Sequence, residues 1–159
     1  MTIPIVIRQA GPTDRAALSQ VLQETFESTW RPNISVAAAE AYLRAAHGDT
    51  YVARHGLAFW LAELAGEVAG FVHWDDDFIE ALHVRPRFAR RGIGGRLMDV
   101  AERAIARAGF PAVRLETDTF NEGSRAFYAA RGYAEAGRYP DEEWNSGLTT
   151  ILFVKQLGE

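Results

Sequence analysis

The chain has 159 residues, 48% of them hydrophobic and 24% charged, and a formal net charge of −4. That length fits a single domain over residues 1–159, large enough to bury a core without staples. The absence of cysteine excludes disulfides, thiolate metal sites and cysteine nucleophiles. The acidic balance argues against a nucleic-acid partner. No stretch is apolar enough to span a bilayer, and the first residues lack a signal-peptide pattern, so a soluble cytoplasmic protein is expected.

Residues 3–8 alternate through Ile3, Ile5 and Ile7 and predict a first strand. A turn over residues 11–14, with Thr13 or Asp14 as cap, leads into a helix carrying Leu18, Val21, Leu22 and Phe26 at helical spacing. Trp30, Arg31, Pro32 and Asn33 break it. Ser35 caps a second, alanine-rich helix that runs to about Ala46, and residues 51–56 fit neither period. Residues 59–64 and 67–74 read as a hairpin with its turn at Ala65-Gly66. Three aspartates, 75–77, make a solvated turn without calcium-loop spacing, and no metal site is evident.

A strand over residues 78–84 follows. The next helix has the stripe Ile93, Leu97, Ala101, Ala104, Ile105 and Ala108, with Asp99 and Arg103 as an i,i+4 pair outside. Gly109 ends it. A strand at 112–117, a short helix at 121–131 and two last strands at 133–139 and 149–157 complete the chain. The order β-α-α-β-β-β-α-β-α-β-β excludes simple βαβ winding and predicts an α+β fold with a mixed sheet.

The junction between the fourth strand and the third helix carries chemistry. Ala89, Arg90, Arg91, Gly92, Ile93, Gly94, Gly95 and Arg96 form a glycine-rich, cationic helix start. Unpaired amides and the helix dipole suit a phosphate there. A surface arginine cluster beside a glycine-rich turn is the plainer alternative. No Gly-Lys-Ser/Thr follows, so this is not a Walker loop, and the third glycine of a dinucleotide fingerprint is missing.

Together with Val84-Arg85-Pro86 upstream and Leu97-Met98 downstream, this segment resembles the acetyl-CoA motif of the GNAT N-acetyltransferase superfamily. A second element, Asn121 with Ser124-Arg125-Ala126-Phe127-Tyr128 and then Gly132-Tyr133, is similar to the family's Asn…Phe-Tyr-x-x-x-Gly-Phe helix. The resemblance implies a central, mostly antiparallel mixed sheet of about seven strands flanked by four helices. It implies acetyl-CoA as cosubstrate, with Leu82, Val84, residues 89–96, Asn121, Ser124 and Phe127 around it. The turn's amides would hold the pyrophosphate, and the Val84 amide would polarise the acetyl carbonyl. Ala89 departs from the Gln or Arg usual at the first motif position. Dimers are common in the family.

Acetyl transfer needs a neutral amine, an oxyanion stabiliser and a donor for the departing thiolate. By the resemblance Tyr128 is the donor, with packing beside Phe127 as the alternative. Glu80 is the candidate base, directly or through a water, since it interrupts an apolar strand. Alternation places it with Phe78, Leu82 and Val84 on the face opposite His73 and His83, the other candidate bases. A non-catalytic acetyl-CoA sensor is the competing function. The family places its acceptor near the first helices and late loops, here Trp30, Asp141, Glu142, Glu143 and Trp144. Carboxylates beside tryptophans suit a cationic small amine or a peptide amino terminus.

Overall fold

Seven alternating segments of the chain pair into one sheet, in the order β1-β2-β3-β4-β5-β7-β6. The computed structural model describes residues 3–141 and 147–158. The predicted acceptor residues Glu142, Glu143 and Trp144 lie outside them. The elements run β1 (Ile5–Gln9), α1 (Arg15–Thr25), α2 (Val36–Ala45), α3 (His47–His55), β2 (Trp60–Leu64), β3 (Glu67–Asp75), β4 (Phe78–Val84), α4 (Ile93–Arg107), β5 (Ala112–Asp118), α5 (Glu122–Ala130), β6 (Ala134–Pro140) and β7 (Thr149–Gln156). Every neighbouring pair is antiparallel except β4–β5. The expected mixed α+β sheet with its flanking helices is what forms.

Local chemistry explains most boundaries. Ala65 and Gly66 both take positive φ, 54° and 79°, which a two-residue hairpin requires. Ser35 accepts the Ala38 amide at 3.0 Å and caps α2. Asp14 departs from its predicted capping role: its carboxylate turns back to the Gly11 amide and to Arg8. The unassigned residues 51–56 belong largely to α3, which follows α2 after a single left-handed residue, Ala46. With Val52 as its one buried residue, α3 has too few apolar positions to show a period.

The sheet separates two apolar layers. On one side Leu18, Val21, Leu22 and Val52 of α1 and α3 pack on Phe59, Leu61, Val68 and Phe71. On the other, Ile93, Leu97, Met98, Ala101 and Ile105 of α4 pack on Val72, Ile79, Val113 and Leu115. The α4 stripe differs from expectation at its margins. Met98 and Glu102 are buried, whereas Ala108 is exposed.

Charge pairing explains that shift. Glu102 accepts bonds from the Tyr133 hydroxyl at 2.9 Å and from Lys155 Nζ at 2.7 Å, which makes its burial tolerable. Asp99 reaches Arg131 at 2.8 Å rather than the predicted Arg103. The packing leaves one gap in the sheet. β4 and β5 pair only at Phe78↔Arg114 and Ile79↔Leu115, and beyond Ile79 no ladder joins them.

Candidate active site

The gap between β4 and β5 exposes backbone. Successive amides of a strand point to opposite edges. The Arg85 amide bonds to Ala69 of the β3 side at 2.8 Å, so the Val84 and Leu82 amides point the other way, into the split. Both side chains pack at the margin of the α4 layer. The strand thus offers a row of unused donors and acceptors to an extended ligand.

At the open end of the split stands the glycine-rich turn. Pro86–Phe88 forms one 3-10 turn, Arg90 and Gly92 take positive φ, and α4 starts at Ile93. Among the described residues nothing bonds to the amides of Ile93, Gly94 and Gly95. Arg90, Arg91 and Arg96 are exposed around them, and the Arg91 guanidinium lies 5.7 Å from the Phe88 ring. Ala89 is exposed too. A side chain at Gly94 would first meet the Phe127 ring at 3.5 Å and then Val84 at 3.9 Å. The two sequence motifs therefore meet here, with Gly94 packed close to the Phe127 ring and Val84. This chemistry fits the pyrophosphate of a CoA thioester.

The α5 residues divide into packing and polar roles. Asn121 caps the helix, its Oδ1 accepting the Ser124 amide at 3.1 Å. Ser124 Oγ lies 2.8 Å from Thr117 Oγ1 of β5, which ties α5 to the strand. Tyr128 is buried against Phe127, Tyr133 and Phe153. Burial pushes its phenol pKa up, which keeps the hydroxyl protonated. No described residue bonds to that hydroxyl, while no fully buried side-chain polar atom lacks a partner, so its oxygen keeps an opening to solvent.

Glu80 corrects the strand alternation. β3 and β4 pair at His73↔Ala81 and then Trp74↔Ile79, which makes Glu80 the extra residue of a β-bulge. Ile79, Leu82 and Val84 pack toward α4, whereas Ala81 packs on the α1–α3 layer. Glu80 lines a cavity together with His73, so the two share a side rather than opposing one another. Its side chain is exposed although the strand around it is apolar.

The α1 side of the split is bridged. After Thr25 the helix widens into one π-helical turn, Phe26–Trp30, a form common at functional sites. This turn carries Trp30 to Asp118 at the end of β5, with Nε1 donating to Oδ2 at 3.0 Å. The indole also lies 5.7 Å from the His83 ring. Burial pushes the Asp118 carboxyl up, the Trp30 bond opposes this, and Asp141 and Glu116 add to the rise. Asp141 follows β6, its amide bonded to Leu148 at 2.9 Å. Asp118 is the residue that sequence reasoning missed. Its only signal was a carboxylate at a strand end, three residues before Asn121.

His83 and His73 are poor bases in this setting. Thr25 Oγ1 lies 2.9 Å from His83 Nδ1, and burial pushes the imidazole down to about 4. His73 Nδ1 is engaged by the Tyr51 hydroxyl, and burial followed by His55 lowers its pKa. His83 yields a pH prediction. The unfolded chain binds its proton near the usual 6.5, the folded chain only near 4. Stability from this residue is full above 6.5 and is lost as the pH falls toward 4. Denaturant unfolding should show the wild type losing on the order of 3 kcal/mol more than His83→Gln across that window. Equal losses would mean that His83 is not held neutral.

Comparisons with known proteins agree with this geometry. The sequence profile of the Acetyltransferase (GNAT) family matches residues 17–133. The chain is 28% identical over 139 residues to the uncharacterized N-acetyltransferase YhfO of Bacillus subtilis, covering 81% of this chain and 89% of that protein. It is 35% identical over 95 residues to blasticidin-S acetyltransferase of Streptomyces morookaense, covering 60% and 68%. In structure it resembles a GCN5-related N-acetyltransferase of Rhodopseudomonas palustris, with a TM-score of 0.83, 23% identity and 99% of each chain covered. The PaiA N-acetyltransferase of Thermoplasma acidophilum, solved with coenzyme A, has a TM-score of 0.75 and 18% identity over 98% and 100% of the chains. With its split sheet, its open amide turn and a family match over most of its length, the chain belongs to the acetyltransferase (GNAT) family.

Proposed function

We propose that the chain moves an acetyl group from acetyl-CoA to the amine of a small cationic acceptor. The observation that carries this is the pairing of two unsatisfied backbone surfaces. The first-turn amides of α4 suit a pyrophosphate, and the β4 edge beyond Ile79 suits an extended arm. A CoA thioester has both parts in that order, and when bound it supplies an acyl carbon open to an amine. Arg90, Arg91 and Arg96 attract its phosphates, while Asn121, Ser124 and Phe127 border the arm from α5. No group of three or more metal-ligating side chains occurs among the described residues. No described helix is long and apolar enough to cross a membrane.

Roles follow from position. The Val84 amide points into the split and stabilises oxygen charge as the amine attacks. Glu80, at the bulge, takes the amine's proton directly or through water. Tyr128 supplies a proton to the departing sulfur, a role that rests on its match to the family's tyrosine in α5, since burial keeps the phenol protonated but weakens it as an acid. The acceptor approaches on the α1–α3 side, where Trp30, Asp118 and Asp141 make the surface aromatic and anionic. That surface suits an ammonium group better than a neutral or anionic one.

Gly94→Trp fills the cradle beside Phe127 and should weaken acetyl-CoA binding about tenfold to hundredfold by calorimetry. Unchanged affinity would remove the cofactor assignment. Tyr128→Phe should lower kcat by about 10²-fold with little change in acetyl-CoA affinity. Release of CoA thiol at the wild-type rate would return Tyr128 to packing. No thiol release by the wild type across an amine panel would instead favour an acetyl-CoA sensor. Glu80→Gln keeps shape and removes the carboxylate, so the acidic limb of the pH–rate profile should flatten. An identical profile would place the base elsewhere.

A further inference from the structure

The α1–α3 side of the sheet holds a cavity of which these roles use only Glu80. Between α3 and the β3–β4 hairpin lies a cavity of about 400 Å3, lined chiefly by Tyr51, His55, His73, Trp74, Asp75 and Glu80. That volume suits a small molecule.

Its walls are held from within. The Tyr51 hydroxyl is hydrogen-bonded to His73 Nδ1, and the His55 ring stacks on His73 with centroids 5.4 Å apart. Phe59, fully buried, lies against Tyr51 at 5.1 Å and against His73 at 5.0 Å. A depressed pKa keeps the His73 ring neutral at physiological pH. The lining then carries two carboxylates, Asp75 and Glu80, beside the His55 imidazole, and Tyr51 and Trp74 add aromatic surface. Carboxylates with aromatic faces select a cation.

Glu80 joins this cavity to the reaction. It is the bulged residue of β4, and it is the first residue beyond the last β4–β5 pair at Ile79. It therefore stands at the apex of the split and in the cavity wall at once. A molecule seated in the cavity can present one end at the apex and keep the other beside Asp75.

We propose that this cavity seats the acceptor and that the acceptor is a small diamine, one nitrogen at Glu80 and a second ammonium beside Asp75 and the Tyr51 ring. The proposal rests on the acetyltransferase reading and names the substrate class of that same site. It separates the acceptor's distal charge from the Trp30–Asp118 side of the split.

The probes are 1,4-diaminobutane and n-butylamine, which share a reacting end and differ in the second charge. With acetyl-CoA, the wild type should show kcat/KM for the diamine about tenfold above that for the monoamine. Asp75→Asn should cut that preference about fivefold, through KM for the diamine, with KM for acetyl-CoA unchanged. Asp76→Asn, one residue away in the hairpin turn and of equal charge change, should leave the preference intact. Proton–nitrogen spectra give a second readout: the diamine should shift the His55 and His73 ring signals of the wild type and not those of Asp75→Asn. Equal use of both amines, a preference indifferent to Asp75, or unmoved ring signals in protein that binds acetyl-CoA would overturn the proposal. Failure to bind acetyl-CoA would overturn the acetyltransferase reading instead.

Discussion

The structure depends on a parallel strand pair that stops after two residues. β4 and β5 meet at Phe78↔Arg114 and Ile79↔Leu115 and then separate. Elsewhere a buried sheet would not leave a row of backbone groups without partners, because each costs on the order of 1–3 kcal/mol when desolvated. In the proposed reading, the unpaired edge is where the CoA arm completes the ladder. The split also explains why the glycine-rich turn sits where it does. β4 ends at Val84, and the chain turns through Pro86–Phe88 to start α4 at the open end of the gap.

A sheet divided this way needs other ties, and they are polar as well as apolar. On the α1 side Arg85 is buried and donates to Val68 at 2.8 Å and to Ala17 at 3.3 Å, while pairing with Glu24. This single guanidinium fastens α1 to β3 at the end of β4. On the opposite side Glu102 gathers Tyr133, Lys155 and Arg131, joining α4 to β7 and to the end of α5. Removing one partner from either cluster would leave a buried charge, which is costlier than the pair is stabilising. Across the gap itself, α4 packs on both halves, and the Trp30–Asp118 bond spans the α1 side. The halves are thus held at a fixed separation without a ladder between them.

The legible parts of this architecture were those written in local pattern. β4 emerged with its boundaries, the hairpin turn at Ala65-Gly66 showed in two residues, and the start of α4 showed as Gly92 and Gly94 opening an amphipathic helix. Three features were hidden for physical reasons. Period-two alternation assumes that no residue is extra, so the bulge at Glu80 reversed its assigned side. The burial of Glu102 depends on partners 29 to 53 residues away, which no helical window contains. The cavity joins Tyr51 and His55 of α3 to His73 and Asp75 of β3, and α3 itself had no hydrophobic period to announce it.

Under the proposed function, charge is distributed so that two unlike substrates can meet. The net charge of −4 conceals an arginine-rich rim at the cradle, Arg90, Arg91 and Arg96, and a carboxylate-rich surface on the α1–α3 side, Asp75, Glu80, Glu116, Asp118 and Asp141. Such fields favour a polyphosphate at the first and a cation at the second. Several carboxylates are already held. Glu116 accepts a bond from the Tyr139 hydroxyl, and Asp118 from Trp30. Both partners are neutral donors, so the bonds orient the two carboxylates. In the proposed reading the acceptor meets these carboxylates on one side of the β4–β5 split and the cosubstrate meets the arginines at its open end.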